Sequence, residues 1–479
     1  MIEYEDPGLH DIHEFIKNEN KSLLIKGNSG TGRATLAAEI AKTHLEKFEI
    51  IFISQNISIN NIYNRFPWTK DFLKQSNLVS IKTNPDFMLS ESSVILDQLL
   101  NTISNRIQKI EDPFVSLKPK PKPFIILEIW DMITKELDNK DIIRIQKIIS
   151  SIIDKSDGFV IFLTEDTKNT DIDNLIDGVI ILNQSFYKSY RLREMQIYKL
   201  KGTAINRSKI AFTLTNGRFM TFSPLSHKIN FEKTNNFIFF PHSKDEFSTG
   251  NRRLDHKLHG GFKKGSIISI EIEQEVDRFV FVPIFVPLIL NFISQRYSAL
   301  VISAWDQAVS AVTRYISPFV NKDLMNKYFR IIGSNNDTKD NLQKKKSKYI
   351  VSRIETNFEN TFRTWTNEYD KLRNRTDGCI VTVDFSFVEL QYQNEILDLQ
   401  KSIINLSSKI RSSNDLLVMV SRPQYKSLEV MKNVCDIHMK LMEFNGSVML
   451  AAIKPQFFLY NVQTDSNAGF PRSHFIESS

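Results

Sequence analysis

The sequence predicts an α/β fold of two mostly parallel sheets in tandem, each flanked by helices and each ending in an antiparallel hairpin. Three observations predict it. Short apolar runs alternate with helical stretches, the pattern of βαβ units. A glycine-rich turn, Gly27-Asn28-Ser29-Gly30-Thr31-Gly32, lies between an apolar run and a helical period. The plan of the first half then recurs after about 220 residues.

The elements follow in order. Leu23-Leu24-Ile25 is a short buried strand, and Leu36, Ala37, Ile40, Ala41, Leu45 and Phe48 recur at helical spacing after the glycine turn. Strands are expected at Glu49–Ile53, Phe124–Ile129 and Gly158–Leu163, with helices near 91–110 and 140–155. The period then changes. Gly178–Leu182, Arg193–Lys201 and Ile210–Thr215 read as antiparallel strands, with Asn216-Gly217 as a hairpin turn. Residues 223–244 show no period and read as a linker. In the second half, strands are expected at Ser266–Ile272, Ala299–Ser303, Gly378–Val383 and Asp415–Ser421. A hairpin from Asp436 to Ile453 around Asn445-Gly446 closes it. The domains are therefore 1–222 and 245–464, followed by a polar, frayed tail at 465–479.

The glycine turn has the frame of a phosphate-binding loop, G-x-x-x-x-G-K-S/T. In that frame backbone N–H groups surround the phosphates, the Lys reaches the β/γ-phosphates and the hydroxyl holds Mg²⁺. Here Arg33 stands in place of the Lys, and Ala34, followed by Thr35, in place of the Mg²⁺ ligand. A helix N-terminus behind the turn favours an anion. Arg grips phosphate but does not copy the geometry of Lys, and Ala34 offers no oxygen. The frame predicts an ATP site at residues 27–35; the substitutions predict that it is weak and needs little Mg²⁺.

Composition narrows the setting. The 479 residues are 41% hydrophobic and 24% charged, as in a globular chain. Two cysteines, Cys379 and Cys435, lack metal-ligand spacing and fit a reducing cytoplasm. The acidic N-terminus lacks the apolar core of a signal peptide. Phe279–Ile293 is apolar, but it is shorter than the roughly 20 residues of a membrane span and carries Pro283 and Pro287. It reads as a buried strand edge and helix, with no membrane partner. His10 with His13, and His256 with His259, have no third ligand nearby, so no metal is expected. The net charge of +7 raises nucleic acid as a partner, but it is not the favoured one. The basic runs Lys344–Lys348 and Lys118–Pro123 carry no interleaved aromatics, and the second reads as a stiff extended connector.

Longer motifs carry a resemblance. Phe247-Ser248-Thr249-Gly250, Leu254-Asp255 and Leu258 to Ser266 resemble the entry segment of RecA-superfamily ATPases of the KaiC type. Lys199-Leu200-Lys201-Gly202-Thr203 and Phe212 to Gly217 resemble that family's hairpin. Asn61 to Trp68 and Glu128-Ile129-Trp130-Asp131 are most similar to the archaeal gas-vesicle regulatory protein D group. The resemblance implies tandem RecA-like P-loop NTPase domains. It implies Glu128 in the Walker B place with Asp131 three residues on, and Lys199 and Lys201 reaching a neighbouring subunit's nucleotide.

The departures predict little turnover. Where the family has a Glu pair that activates water, this chain has Ser54-Gln55-Asn56, which supplies no general base. In the second half, Glu271-Ile272-Glu273-Gln274-Glu275-Val276-Asp277 replaces the phosphate loop. Its carboxylates are expected to repel ATP, leaving Asp384, the formal Walker B residue, nothing to serve. Met439-Lys440-Leu441 shows no counterpart of the Lys199–Lys201 hairpin. The resulting expectation is a regulatory protein with one degenerate ATP site. It would bind a protein partner or form a homo-oligomer through its N-terminal domains. A slow ring ATPase acting on DNA or protein, and a nucleotide-free scaffold, are the alternatives.

Overall fold

The computed structural model describes the chain except for residues 1–5, 19–20, 56–58, 72–77, 82–91, 112–120, 135–136, 138, 169–170, 226–236, 278–279, 304–313, 334–349, 353–354, 356, 465–469, 471–472 and 479. The chain divides into two compact units, residues 1–223 with 478–479, and residues 224–477.

The first unit holds a nine-stranded sheet. Its strands are β1 (Ser22–Lys26), β2 (Phe48–Gln55), β3 (Leu78–Ile81), β4 (Lys122–Leu127), β5 (Phe159–Thr164), β6 (Gly178–Tyr187), β7 (Tyr190–Leu200), β8 (Lys209–Thr213) and β9 (Met220–Thr221). They lie in the order β3-β2-β4-β5-β1-β6-β7-β8-β9. Pairing is parallel from β3 to β6 and antiparallel from β6 to β9. Strand β1 is central, and Leu23, Leu24 and Ile25 are buried because both faces of a parallel sheet are covered. Helix Arg33–Thr43 packs Leu36, Ala37 and Ile40 on one face. Helices Ser92–Glu111 and Asn139–Lys155 cover the other with Leu99, Ile103, Ile145 and Ile149.

In the second unit a short pair, β10 (Glu246–Phe247) and β11 (Phe262–Lys263), precedes a ten-stranded sheet. Its strands are β12 (Ile267–Ile272), β13 (Ser298–Ile302), β14 (Phe329–Gly333), β15 (Ile350–Ser352), β16 (Cys379–Asp384), β17 (Leu416–Ser421), β18 (Ile437–Phe444), β19 (Ser447–Lys454), β20 (Leu459–Thr464) and β21 (Ser473–Glu477). The order is β15-β14-β13-β16-β17-β12-β18-β19-β20-β21. With β15 set aside as an added edge, this repeats the first sheet strand for strand. Both sheets are RecA-like, and the equivalence extends to register: Lys26 faces Thr164 on β5, and Glu271 faces Ser421 on β17.

Several expectations change. Residues 237–244 are not linker: Phe237 joins the second core, Phe240 N–H donates to Asn291 Oδ1 at 2.7 Å, and His242 N–H donates to Gln295 Oε1 at 3.0 Å. The tail is not wholly frayed, since β21 pairs with β20 and buries Phe475. Lys122-Pro123, read as connector, begins β4 at its edge with β2, where Pro is tolerated as the first residues of a strand. Residues 118–120 and Lys344–Lys348 lie outside the described residues. The apolar run is helix Phe281–Ser294, buried in the second core. Among the described residues no helix is long and apolar enough to cross a membrane.

Candidate nucleotide site

The site lies at the C-terminal ends of β1, β4 and β5, where open α/β sheets take ligands. Strand β1 leads directly into the glycine turn. Gly27 N–H donates to Thr164 O at 3.0 Å, which ties the turn to β5. A Cβ on Gly27 would lie 2.6 Å from Thr31 Oγ1 and 2.7 Å from Leu182 O. Gly32 has φ +99°, and a Cβ there would strike Leu214 at 2.7 Å. These positions require glycine for space and conformation. Thr31 folds inward and donates to Asn28 O at 2.8 Å, while Asn28, Ser29 and Gly30 form the exposed tip. Helix Arg33–Thr43 starts directly behind, with Ala34 and Thr35 buried. The frame of a phosphate cradle is therefore intact.

Its cation is engaged elsewhere. Arg33 donates from Nη1 to Asp131 Oδ2 at 3.2 Å and from Nη2 to Glu165 Oε1 at 2.8 Å. Asp131 also accepts Thr164 Oγ1 at 2.5 Å and Glu165 N–H at 2.8 Å. Glu128 accepts Ser54 Oγ at 2.5 Å. Both carboxylates proposed for the Walker B side thus have protein donors, and Ala34 has no oxygen to add. The residues fit a phosphate in the cradle. A Mg²⁺ beside it would gain no side-chain oxygen from Ala34 and would have to share Glu128 and Asp131 with the donors they already accept. Gln55's side chain and Asn56 lie outside the described residues.

Beneath the turn, Lys26 is 1% exposed and donates to Asp173 Oδ2 at 2.7 Å and Lys168 O at 2.6 Å. A cleft of about 340 Å³ opens beside it, lined by Leu24, Lys26, Trp130, Asp131, Thr164 and Glu165 among others. Sequence reading missed Glu165, Asp173 and Lys26. The one available signal was a lysine ending an apolar strand immediately before Gly27.

The remaining first-domain motifs are accounted for by packing. Trp68 Nε1–H donates to Gly217 O at 2.9 Å, under the Arg218 guanidinium at 4.8 Å. Arg218 in turn grips Glu39 of the helix behind the turn at 2.5 and 2.9 Å. Lys199 Nζ donates within the chain to Asp173 O, Asn174 O and Ile176 O at 3.0, 3.4 and 2.6 Å, closing the end of helix Asp171–Leu175. Lys201 is 71% exposed, 3.5 Å from Asp177. His13 turns inward to His44, Nδ1 to Nε2 at 3.1 Å, and burial lowers its pKa to about 4. It makes no pair with His10.

The second domain replaces this site by different means. Lys432 lies 2.9 Å from Glu271, Lys440 lies 3.4 Å from it and His438 3.5 Å. The His438 hydrogen bond and these lysines hold the Glu271 carboxyl down at about 2. Lys440 also pairs with Glu273 at 2.7 Å, so the expected acidic patch is compensated at Glu271 and Glu273. Only Glu275 and Asp277 stay exposed. The loop after β12 presents carbonyls, not N–H groups: Arg422 donates to Glu273 O, Gln274 O and Val276 O at 3.2, 3.0 and 3.1 Å. Asp384 does have a task, accepting Ser386 N–H at 3.1 Å as a helix cap, and burial pushes it up to about 6. A counterpart of Lys199 also exists. It is Lys454 on β19, opposite His438 as Lys199 is opposite Val179, and it closes a helix end through Lys432 O and Cys435 O at 3.2 and 2.9 Å.

A glycine cradle on the central strand of a RecA-like sheet defines the class as a P-loop NTPase fold. A sequence model of the KaiC ATPase family matches residues 7–225, which is the first domain and a little under half of the chain. Among curated proteins it is similar to Protein GvpD2 of Halobacterium salinarum, 18% identical over 98% of this chain and 95% of that protein. Protein GvpD1 of the same organism is 23% identical over 60% of this chain. The circadian clock oscillator protein KaiC of Thermosynechococcus vestitus is 24% identical over 54%. The matches span 54% of GvpD1 and 50% of that KaiC.

Proposed function

We propose that this chain is a GvpD-like regulatory protein with one latched, weak ATP site in its first domain, a nucleotide-free second domain, and little or no hydrolysis. One observation carries the reading: Arg33, the residue in the phosphate-gripping place, is bound by Asp131 and Glu165. A nucleotide would be held by the backbone of residues 27–32, by the N-terminus of helix Arg33–Thr43, and by Arg33 once it leaves its carboxylates. ATP supplies the γ-phosphate whose binding would turn Arg33 from the latch to the cradle. Asp131 and Glu165, released by that exchange, would change the cleft they line, which gives a regulator something for a partner to read. The absence of an oxygen at Ala34 supports weak dependence on Mg²⁺, and Ser54-Gln55-Asn56 supports slow turnover. Buried, unpaired Cys379 and Cys435 are in keeping with action in the reducing cytoplasm.

Titration with a fluorescent ATP analogue, with and without Mg²⁺, tests this. Glu165→Gln should tighten binding about fivefold, the equivalent of an exposed ion pair worth about 1 kcal/mol. Arg33→Lys with Ala34→Thr should tighten it further, with phosphate release still near background. An unchanged affinity in Glu165→Gln would refute the latch. Binding abolished by chelating Mg²⁺ would show that Glu128 or Asp131 ligates the ion after all.

A further inference from the structure

The basic runs noticed in the sequence lack aromatics, but the β6–β7 hairpin tip does not: it reads Phe186-Tyr187-Lys188-Ser189-Tyr190-Arg191-Leu192-Arg193. Phe186 pairs across the hairpin with Arg191, and Gln184 with Arg193. Alternation places these four side chains on one face. Phe186 is 62% exposed, with the Arg191 guanidinium 5.8 Å from its ring centre. Arg193 is only 6% exposed, yet its Nε and Nη1 find no hydrogen-bond acceptor among the described residues. Burial, and secondarily the charge of Arg191, pulls its pKa below the usual range for arginine. Two buried guanidinium nitrogens without an acceptor are costly.

We propose that this hairpin tip binds single-stranded nucleic acid, with Phe186 stacking on a base and Arg191 and Arg193 holding the adjoining phosphate. The choice of partner follows from the pairing of needs. The arginines call for an anion, and Phe186 calls for a flat π-face beside it. A single strand offers both at every nucleotide. A duplex hides its base faces, and an acidic peptide brings the anion without the ring. Lys188, exposed at the turn with φ +55°, adds a third cation to the approach. The chain's net charge of +7 favours a polyanion at long range. This surface is independent of the nucleotide site.

Fluorescence anisotropy with labelled oligo(dT), oligo(rU) and a matched DNA duplex tests the proposal on the full chain. Wild type should bind the single strands more tightly than the duplex. Phe186→Ala and Arg191→Ala, both at exposed positions, should each weaken single-strand binding about fivefold or more without moving the thermal midpoint. Arg193→Met gives a separate readout. It should abolish binding while raising the midpoint of the free protein, because it removes a buried charge two of whose nitrogens lack an acceptor. Absence of single-strand binding, duplex binding of equal strength, full competition by poly-glutamate, or a loss that follows the arginines but spares Phe186→Ala would each overturn it.

Discussion

The two domains share a sheet order and a register, and at equivalent positions they carry opposite charges. Lys26 at the end of β1 meets Asp173 of the helix Asp171–Leu175. Glu271, its equivalent on β12, meets Lys432 of the helix Ser427–Val434. The swap continues one residue beyond the neighbouring strand. Glu165 follows β5 and holds Arg33, whereas Arg422 follows β17 and holds three loop carbonyls. In both halves an internal guanidinium sits beside the loop that follows the central strand. The first half keeps glycines, so its N–H groups can still surround an anion once Arg33 swings away. The second half has turned carbonyls toward its arginine, and no displacement of Arg422 would make carbonyls attract phosphate. On the proposed reading, a fold weakens a ligand site reversibly, by a competing ion pair, or loses it structurally, by reversing backbone polarity.

The largest expected effect sharpens this charge swap. Lys26→Met leaves Asp173 buried without its cation and should cost about 3–5 kcal/mol by chemical denaturation. Lys26→Met with Asp173→Leu should recover most of that loss. In the second domain Glu271→Gln should cost less, about 1–2 kcal/mol, because Lys432 is 33% exposed and can return to water. Equal costs would mean the two pairs are not counterparts.

Next in size is Arg422→Ala, which removes three charged hydrogen bonds to one loop and should cost about 2 kcal/mol. It should confer no ATP binding on the second domain. A stoichiometry of two nucleotides per chain, in wild type or in this variant, would break the distinction between the two kinds of loss.

Acid should loosen both domains through buried imidazoles. The pKa of His13 is lowered from 6.5 to about 4, so the stability it confers by staying neutral is present above 6.5 and is lost as pH falls from there toward 4. Glu271 is lowered from 4.5 to about 2, so its contribution is present above 4.5 and lost only as pH falls below that. His242 in the second domain is likewise lowered from 6.5 to about 4 by burial, so at pH 5 both domains should show amide exchange raised above that at pH 7. Asp384 works in the other direction. Its pKa is raised from 3.8 to about 6, so stability is lost as pH rises through that window, and Asp384→Asn should stabilise at pH 8 but not at pH 3. Exchange at pH 5 no faster than at pH 7 in either domain would contradict these assignments.

The smallest effect concerns the two helix-closing lysines. Lys199→Ala and Lys454→Ala should each cost about 1–2 kcal/mol through carbonyls left without a donor. Sedimentation should show no change in assembly for either. If Lys199→Ala alone disperses a nucleotide-dependent oligomer, the lysine reaches a neighbouring subunit as the family resemblance implied.

Local pattern by itself determined the alternating elements, the central strand with its glycine turn, the helix behind it and the closing hairpins. Apolar period and glycine placement are properties of a few consecutive residues. The identity of the cradle was legible for the same reason, since residues 27–35 are contiguous. The partners of its charges were not. Arg33 meets Asp131 and Glu165, and Lys26 meets Asp173, only because parallel strands distant in sequence end side by side. The alignment of Lys199 with Lys454, where the local sequence at Met439–Leu441 shows no counterpart, needed strand order and register. The fate of the acidic stretch after β12 was also outside any local reading, because Lys432 and Lys440 arrive from a helix and a strand well over a hundred residues away along the chain. Sequence spacing fixes which side chains a chain possesses at each turn. Coulomb attraction acts through space, and tertiary structure alone decided which of those charges face a ligand and which face one another.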